Sequence, residues 1–266
     1  MQKSDTHRPL LYFTVTFFVT FLFWFLGAFL SHQEANHPFY MPLMLSGLIT
    51  PFVIGFLFLY RLDIRARLDF YERIYSLRRI RPVMLFAFLI PPLSMLLAIT
   101  LSLLFGGEVS QFAKAEDFSF EFLVPALTLL VLAATFEELG WRGYAFDSLA
   151  AKFNLFGASL VFGVLWSAWH FPLVFVKDSY QYQLLQENIW LGINFFISII
   201  PMGVILSWVC VKNNKSILIA ILYHLFINLS QEMFQVEQST KCIQTVVLFF
   251  IAGGIVWWDK KLFFRL

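Results

Sequence analysis

The sequence has little charge. Of its 266 residues only 14% are Asp, Glu, Lys or Arg, while 59% are hydrophobic. Soluble domains average roughly 25% charged and about 45–50% apolar, which excludes a water-soluble globule and indicates an integral membrane protein. The net charge of +2 is too small to recruit nucleic acid. Cysteine is scarce: Cys210 and Cys242 fall near opposite membrane faces on different expected helices, so no disulfide between them is expected. Repeats and low-complexity linkers are missing. So are a serine in a Gly-x-Ser-x-Gly setting, a Cys–His pairing signal and a His-Glu-x-x-His zinc motif, which removes several hydrolase classes.

Long apolar runs are what the chain has instead, rich in phenylalanine, with 34 of them suited to lipid-facing surfaces. At about 20 apolar residues per crossing, the expected spans are 9–31, 41–60, 83–105, 121–141, 156–176, 189–211, 216–232 and 242–258. The expected fold is an all-α polytopic membrane helix bundle of about eight transmembrane helices, a single membrane-embedded domain over 1–266. The run that follows Met1–Arg8 is too long for a signal-peptide core and lacks a clear cleavage site, so it reads as a retained first helix.

Lysine and arginine fix an expected orientation. With the N-terminus cytoplasmic, the inner segments hold Lys3, Arg8, Arg61, Arg65, Arg67, Arg73, Arg78, Arg79, Arg81, Lys152, Lys212, Lys215, Lys260, Lys261 and Arg265, and the outer ones only Lys114, Lys177 and Lys241. That asymmetry puts both termini on the cytoplasmic side. Between Arg61 and Pro82, Ile64, Leu68, Tyr71, Ile74, Tyr75 and Leu77 recur at near-helical spacing among seven arginines. The segment reads either as a helix lying on the inner leaflet or as a basic loop that only sets topology. His32 and His37, with Glu34 between them, have the wrong spacing to share a helix face, and a metal pair is not expected there.

Glu137-Glu138-Leu139-Gly140-Trp141-Arg142 ends the fourth run. Ionised groups at bilayer depth cost about 2.5–3.5 kcal/mol each even on lenient scales, so three together need a reason. Glu138 and Arg142 are four apart and can pair, while Glu137 points about 100° away around the helix. His170 and His224 lie within expected spans, Trp166 beneath the first and Asn228 on the stripe of the second. Singly, each histidine or asparagine reads as an interhelical hydrogen bond, and Glu138–Arg142 as a structural ion pair. Glu137, left without that cation, together with both histidines and Asn228 on three helices, makes a catalytic set. A carboxylate and an imidazole can activate water, and a second imidazole with an amide N–H can hold an oxyanion. The same two histidines and glutamate (Glu137, His170, His224) equally match the ligand set of a divalent metal such as zinc. Buried acids and histidines also mark ion paths, although the broken helices in paired halves of transporters are not evident.

The set Glu137-Glu138-x-x-x-Arg142, Trp166-x-x-x-His170 and His224-x-x-x-Asn228 resembles the CAAX-protease and bacteriocin-processing (abortive infection) family of intramembrane proteases, including type II CAAX prenyl endopeptidases. The resemblance spans Glu137 to Asn228 and leaves the first three spans without a motif. It implies hydrolysis of a membrane-associated peptide, of the prenylated CAAX type or otherwise, in the bilayer, in a bacterial cytoplasmic membrane. By the same resemblance Glu137 is the water-activating carboxylate assisted by His170. His224 and Asn228 form the oxyanion site, and Glu138 with Arg142 hold the helix in register. The second motif commonly opens with phenylalanine, where this chain has Trp166, a difference expected to alter pocket shape. The alternative within the same family is a bacteriocin self-immunity or scaffold protein that needs no proteolysis. Straight helices place Glu137 near the inner end of its span and His170 deeper, so tilt or a later start of the fifth helix is required. A water-filled cavity opening on the cytoplasmic side is expected.

Overall fold

The structure, a computed structural model, describes residues 7–33, 37–115, 120–177 and 179–265. Lys3 and Glu34 lie outside the described residues. The described chain is all-helical, its only bridge being the isolated antiparallel pair Lys114–Phe234. α1 (Pro9–Ser31) and α2 (Tyr40–Leu59) form a hairpin, followed by the short amphipathic α3 (Ile64–Tyr75). A third crossing, Pro82–Phe105, begins as 3-10 helix and continues as α4 (Ile90–Ser102). α5 (Phe120–Gly140) runs through a π-turn (Trp141–Ala145) into α6 (Phe146–Ala150). Then come α7 (Leu155–Trp169), α8 (Tyr180–Glu187), α9 (Ile189–Lys212), α10 (Ile217–Glu232) and α11 (Gln238–Trp258). Among the described residues six helices are long and apolar enough to cross a membrane, and α10 is a shorter apolar helix. With α5 these make the expected eight. The protein is an integral, multi-pass membrane protein.

Several starts are dictated locally. Asp63, Asn154, Ser179, Asn188 and Ser216 each accept a backbone N–H from the turn they open, which satisfies a donor that the helix itself cannot.

Lipid tails are as apolar as leucine, so close packing and polar contacts hold such helices together. Gly140 lets α5 meet α2, because a Cβ there would lie 2.4 Å from the carbonyl carbon of Pro51. On the other side of the site a Cβ on Gly203 of α9 would lie 2.9 Å from the Cα of Gly163 of α7. Pro51 lacks an N–H, which leaves the Gly47 carbonyl without its helical donor. Thr20 Oγ1 donates to that carbonyl at 3.4 Å and accepts from Trp169 Nε1 at 3.0 Å.

One end of the bundle is sealed. Arg73 of α3 is 3% exposed and donates to Asp147 Oδ2 (2.7 Å), the Lys215 carbonyl (2.7 Å) and the Arg142 carbonyl (2.6 Å). Lys215 Nζ closes the lattice on Asp147 Oδ1 at 2.9 Å. The helical reading of residues 61–82 therefore holds for Ile64–Tyr75. Its inward face is Phe70 and Arg73, whereas Ile64, Leu68, Tyr71 and Tyr75 point outward, as a helix lying on a bilayer surface requires.

Burial alone would push the Asp147 carboxyl up. Arg73 and Lys215 beside it instead hold it down, from 3.8 to about 2. The folded value is the lower one, so this contribution to stability is complete above 3.8 and lost as pH falls towards 2. Asp147→Ala should lower stability at neutral pH by about 3 kcal/mol, because it strands the Arg73 guanidinium. Thermal unfolding in detergent should also show a weaker acid dependence in the variant below about pH 4. Parallel pH curves for variant and parent would count against the assignment.

Candidate active site

The helix that carries the two carboxylates does not stop at Gly140. The expected boundary at residue 141 is corrected by the π-turn, which continues the helix to Ala150. Glu137 therefore sits 13 residues, about 20 Å, above the end of that helix. His170 follows the start of α7 at Leu155 by 15 residues, about 22 Å. The helix continues where an end was expected, and this brings the two side chains to one depth without unusual tilt.

The adjacent carboxylates face different surroundings. Glu137 Oε2 accepts from Trp166 Nε1 at 2.7 Å, and Trp141 Nε1 lies at 3.4 Å from the same oxygen. Glu138 is fully buried, with Oε2 2.9 Å from Arg142 Nη1 and Oε1 3.0 Å from His224 Nδ1. The Arg142 guanidinium, also fully buried, lies 4.3 Å from the Phe162 ring centroid, a cation–π arrangement. Phe162 and Trp166, one turn apart on α7, thus attend to Arg142 and Glu137 respectively.

Hydrogen bonding assigns the imidazole faces. His170 Nδ1 is 2.8 Å from the Trp166 carbonyl and His224 Nδ1 is 3.0 Å from the Glu138 carboxylate. Both partners only accept, so each Nδ1 carries the proton and Nε2 is the nitrogen left for chemistry. The expected stacking of Trp166 beneath His170 gives way to a tilted arrangement with centroids 6.1 Å apart, and Trp166 meets His224 edge-on at 5.1 Å. Trp166 does more than shape the pocket: its N–H, which phenylalanine lacks, reaches Glu137.

Glu137, Trp166, His170, His224 and Asn228 all line one cavity of about 320 Å³. Glu138 and Arg142 do not line it; they stand behind the wall. The cavity runs from Glu137 past Asn194 and Ser198 to Tyr180, Gln181, Gln238 and Lys241, the end of the bundle opposite the arginine-rich α3. The sequence reading placed the opening on the cytoplasmic side; the lining residues run away from the basic end. That end is blocked by the buried Trp141, Arg142, Tyr144 and Phe146 and by the Arg73–Asp147–Lys215 lattice. An orientation with the arginines in the cytoplasm places the mouth on the far side.

Among the described residues no three His, Cys, Asp or Glu side chains gather as a metal site. Glu137, His170 and His224 share the cavity but do not close on a common point. Besides the Trp166–Glu137 bond, two contacts escaped the sequence reading. The Trp141–Glu137 proximity was available from their spacing of four, whereas the Glu138–His224 bond joins helices 86 residues apart and had no local signal.

Two comparisons bear on this arrangement. Residues 119–230, which contain every residue of the set, match the family described as type II CAAX prenyl endopeptidase Rce1-like. Over its whole length the chain is also similar to CAAX prenyl protease 2 of Methanococcus maripaludis, at 49% identity over 271 residues that cover 99% of that protein.

Proposed function

The chain belongs to the Rce1-like family of type II CAAX prenyl endopeptidases, and we propose that it hydrolyses a peptide bond near the C-terminus of a membrane-associated, prenylated peptide by carboxylate-activated water. The observation that carries this reading is the convergence of Glu137, His170, His224 and Asn228 on one cavity, with Glu137 held there by an indole N–H at 2.7 Å.

In this reading Glu137 removes a proton from a water that attacks the scissile carbonyl carbon, assisted by the free Nε2 of His170. The C=O π bond opens and its electron pair becomes an oxyanion. On α10 the Asn228 amide faces that oxygen with its N–H, and one helical turn away His224, its Nδ1–H held by Glu138, donates from Nε2 as the doubly protonated imidazolium. Collapse of the tetrahedral intermediate breaks the C–N bond, and the proton taken from water passes to the departing amine. Glu138 acts through others: its carboxylate balances Arg142 and aims the His224 ring. A cavity that reaches the surface supplies the water.

Glu137→Gln should reduce cleavage by about 10³-fold or more while leaving the thermal unfolding temperature near that of the parent. Glu138→Gln should lower that temperature clearly and reduce turnover as well, because it unbalances a fully buried cation and loosens His224. Mass spectrometry of prenylated and unprenylated peptides, with unfolding curves on the same preparations, separates the two. Equal activity loss with equal folding in both variants would overturn the division of roles.

Trp166→Phe removes the N–H aimed at Glu137 and trims the ring while keeping it aromatic. It should cut kcat by about tenfold with KM unchanged; a change confined to KM would mean that the ring shapes the pocket and does not position the carboxylate. Cleavage should persist in 1,10-phenanthroline after metal-free purification, and abolition that added zinc reverses would refute water activation without a metal.

A further inference from the structure

The cavity is much longer than one scissile bond, and its far wall has its own chemistry. Beyond Asn194 and Ser198 it reaches Tyr180, Gln238 and Lys241. Among the described lining residues Lys241 is the one lysine or arginine. Its ammonium does not swing freely: Nζ lies 5.1 Å from the centroid of the Tyr180 ring and donates to Tyr180 Oη at 3.3 Å. Tyr180 Oη in turn donates to Gln238 Oε1 at 2.9 Å. Lys241 comes from the first turn of α11 and Tyr180 from the first turn of α8, so two separate helices fix the position of this charge.

An ammonium has three donors and no acceptor, and its one side-chain hydrogen-bond partner among the described residues is the Tyr180 hydroxyl. Beside it the wall is apolar at Leu184, Leu191 and Phe195. The one carboxylate towards the mouth, Glu232, is exposed and acts on the ammonium through space, but no hydrogen bond or ion pair joins the two. A half-buried, positioned cation on an apolar wall calls for an anion. A peptide that enters with its C-terminus brings one, the terminal α-carboxylate.

We propose that Lys241, steadied by Tyr180 and Gln238, is the seat for the free C-terminal carboxylate of the substrate peptide. This assignment rests on the endopeptidase reading and deepens it. Seating the chain end at Lys241 sets which upstream bond lies beside Glu137, so the released fragment has a length fixed by the distance between the two. Selection for a chain end then comes from one charge–charge contact and requires no particular side chain at the last residue.

The test uses one prenylated peptide in two forms, ending in a free carboxylate or in a carboxamide. For the parent, amidation should raise KM about 10- to 100-fold, the range expected for losing a hydrogen bond between charged groups. Lys241→Ala should show that same rise on the acid peptide and no further rise on the amide. Binding of both peptides to Glu137→Gln, followed by fluorescence anisotropy, should repeat the acid–amide difference without turnover. Equal affinity of Glu137→Gln for acid and amide overturns the seat, as does a Lys241→Ala loss of equal size on both peptides. If the parent cleaves neither peptide, the hydrolytic reading falls on its own, and anisotropy of Lys241→Ala against parent still decides the carboxylate seat.

Discussion

Most of the site depends on a single buried carboxylate, that of Glu138. It lies between the Arg142 guanidinium and the His224 ring in a region with no exposure to solvent. A charge there is stable only if it is balanced at once and from more than one direction. Arg142 provides one side from the same helix, with the Phe162 ring behind it. His224 provides the other from α10. Without Glu138 the guanidinium is stranded and the imidazole loses its orientation together, so the neutralisation of the interior and the aim of the site are one problem with one solution.

This arrangement releases Glu137 for a different task. Its neighbours are indole N–H groups, from Trp166 at 2.7 Å and Trp141 at 3.4 Å. Indole donates a hydrogen bond without bringing a charge, so the carboxylate is held in place with no cation paired to it. Two adjacent glutamates thus occupy opposite sides of a cavity wall, one ionically satisfied and dry, the other oriented and able to meet water. The plug of aromatic residues and the Arg73 lattice close the basic end. Water and peptide are left the other route, past Tyr180 and Lys241.

Much of this was legible in the amino-acid sequence. A crossing needs a run of apolar residues whose length the bilayer dictates, and so the expected spans match the helices within one residue at most ends. Ionisable side chains in such runs stand out because they are expensive, which singled out Glu137, Glu138, Arg142, His170 and His224. The continuation of α5 through Trp141–Ala145 was not legible, because a glycine, an arginine and a tyrosine after an apolar run read like a helix end. Nor was the direction of the cavity. That depends on which end is plugged, and the plug is assembled from α3, α6 and the turn at Lys215, which are distant in sequence. Trp166 was noticed as a departure from phenylalanine, but its hydrogen bond becomes visible only once α7 is packed against α5.

The helix formed by α5, the π-turn and α6 runs antiparallel to α10, and two polar links join them: Glu138 to His224 and Asp147 to Lys215. On one helix the linked residues are 138 and 147; facing them are 224 on α10 and 215 in the turn that leads into it, so both intervals are nine residues. Equal intervals on these two opposed segments work like a two-pin connector. A slip of one residue disengages both pins at once, with no partial engagement to rest in. The geometry of the site is therefore digital, either fully seated or absent, and a helix sliding along the bilayer normal has one depth at which it clicks home.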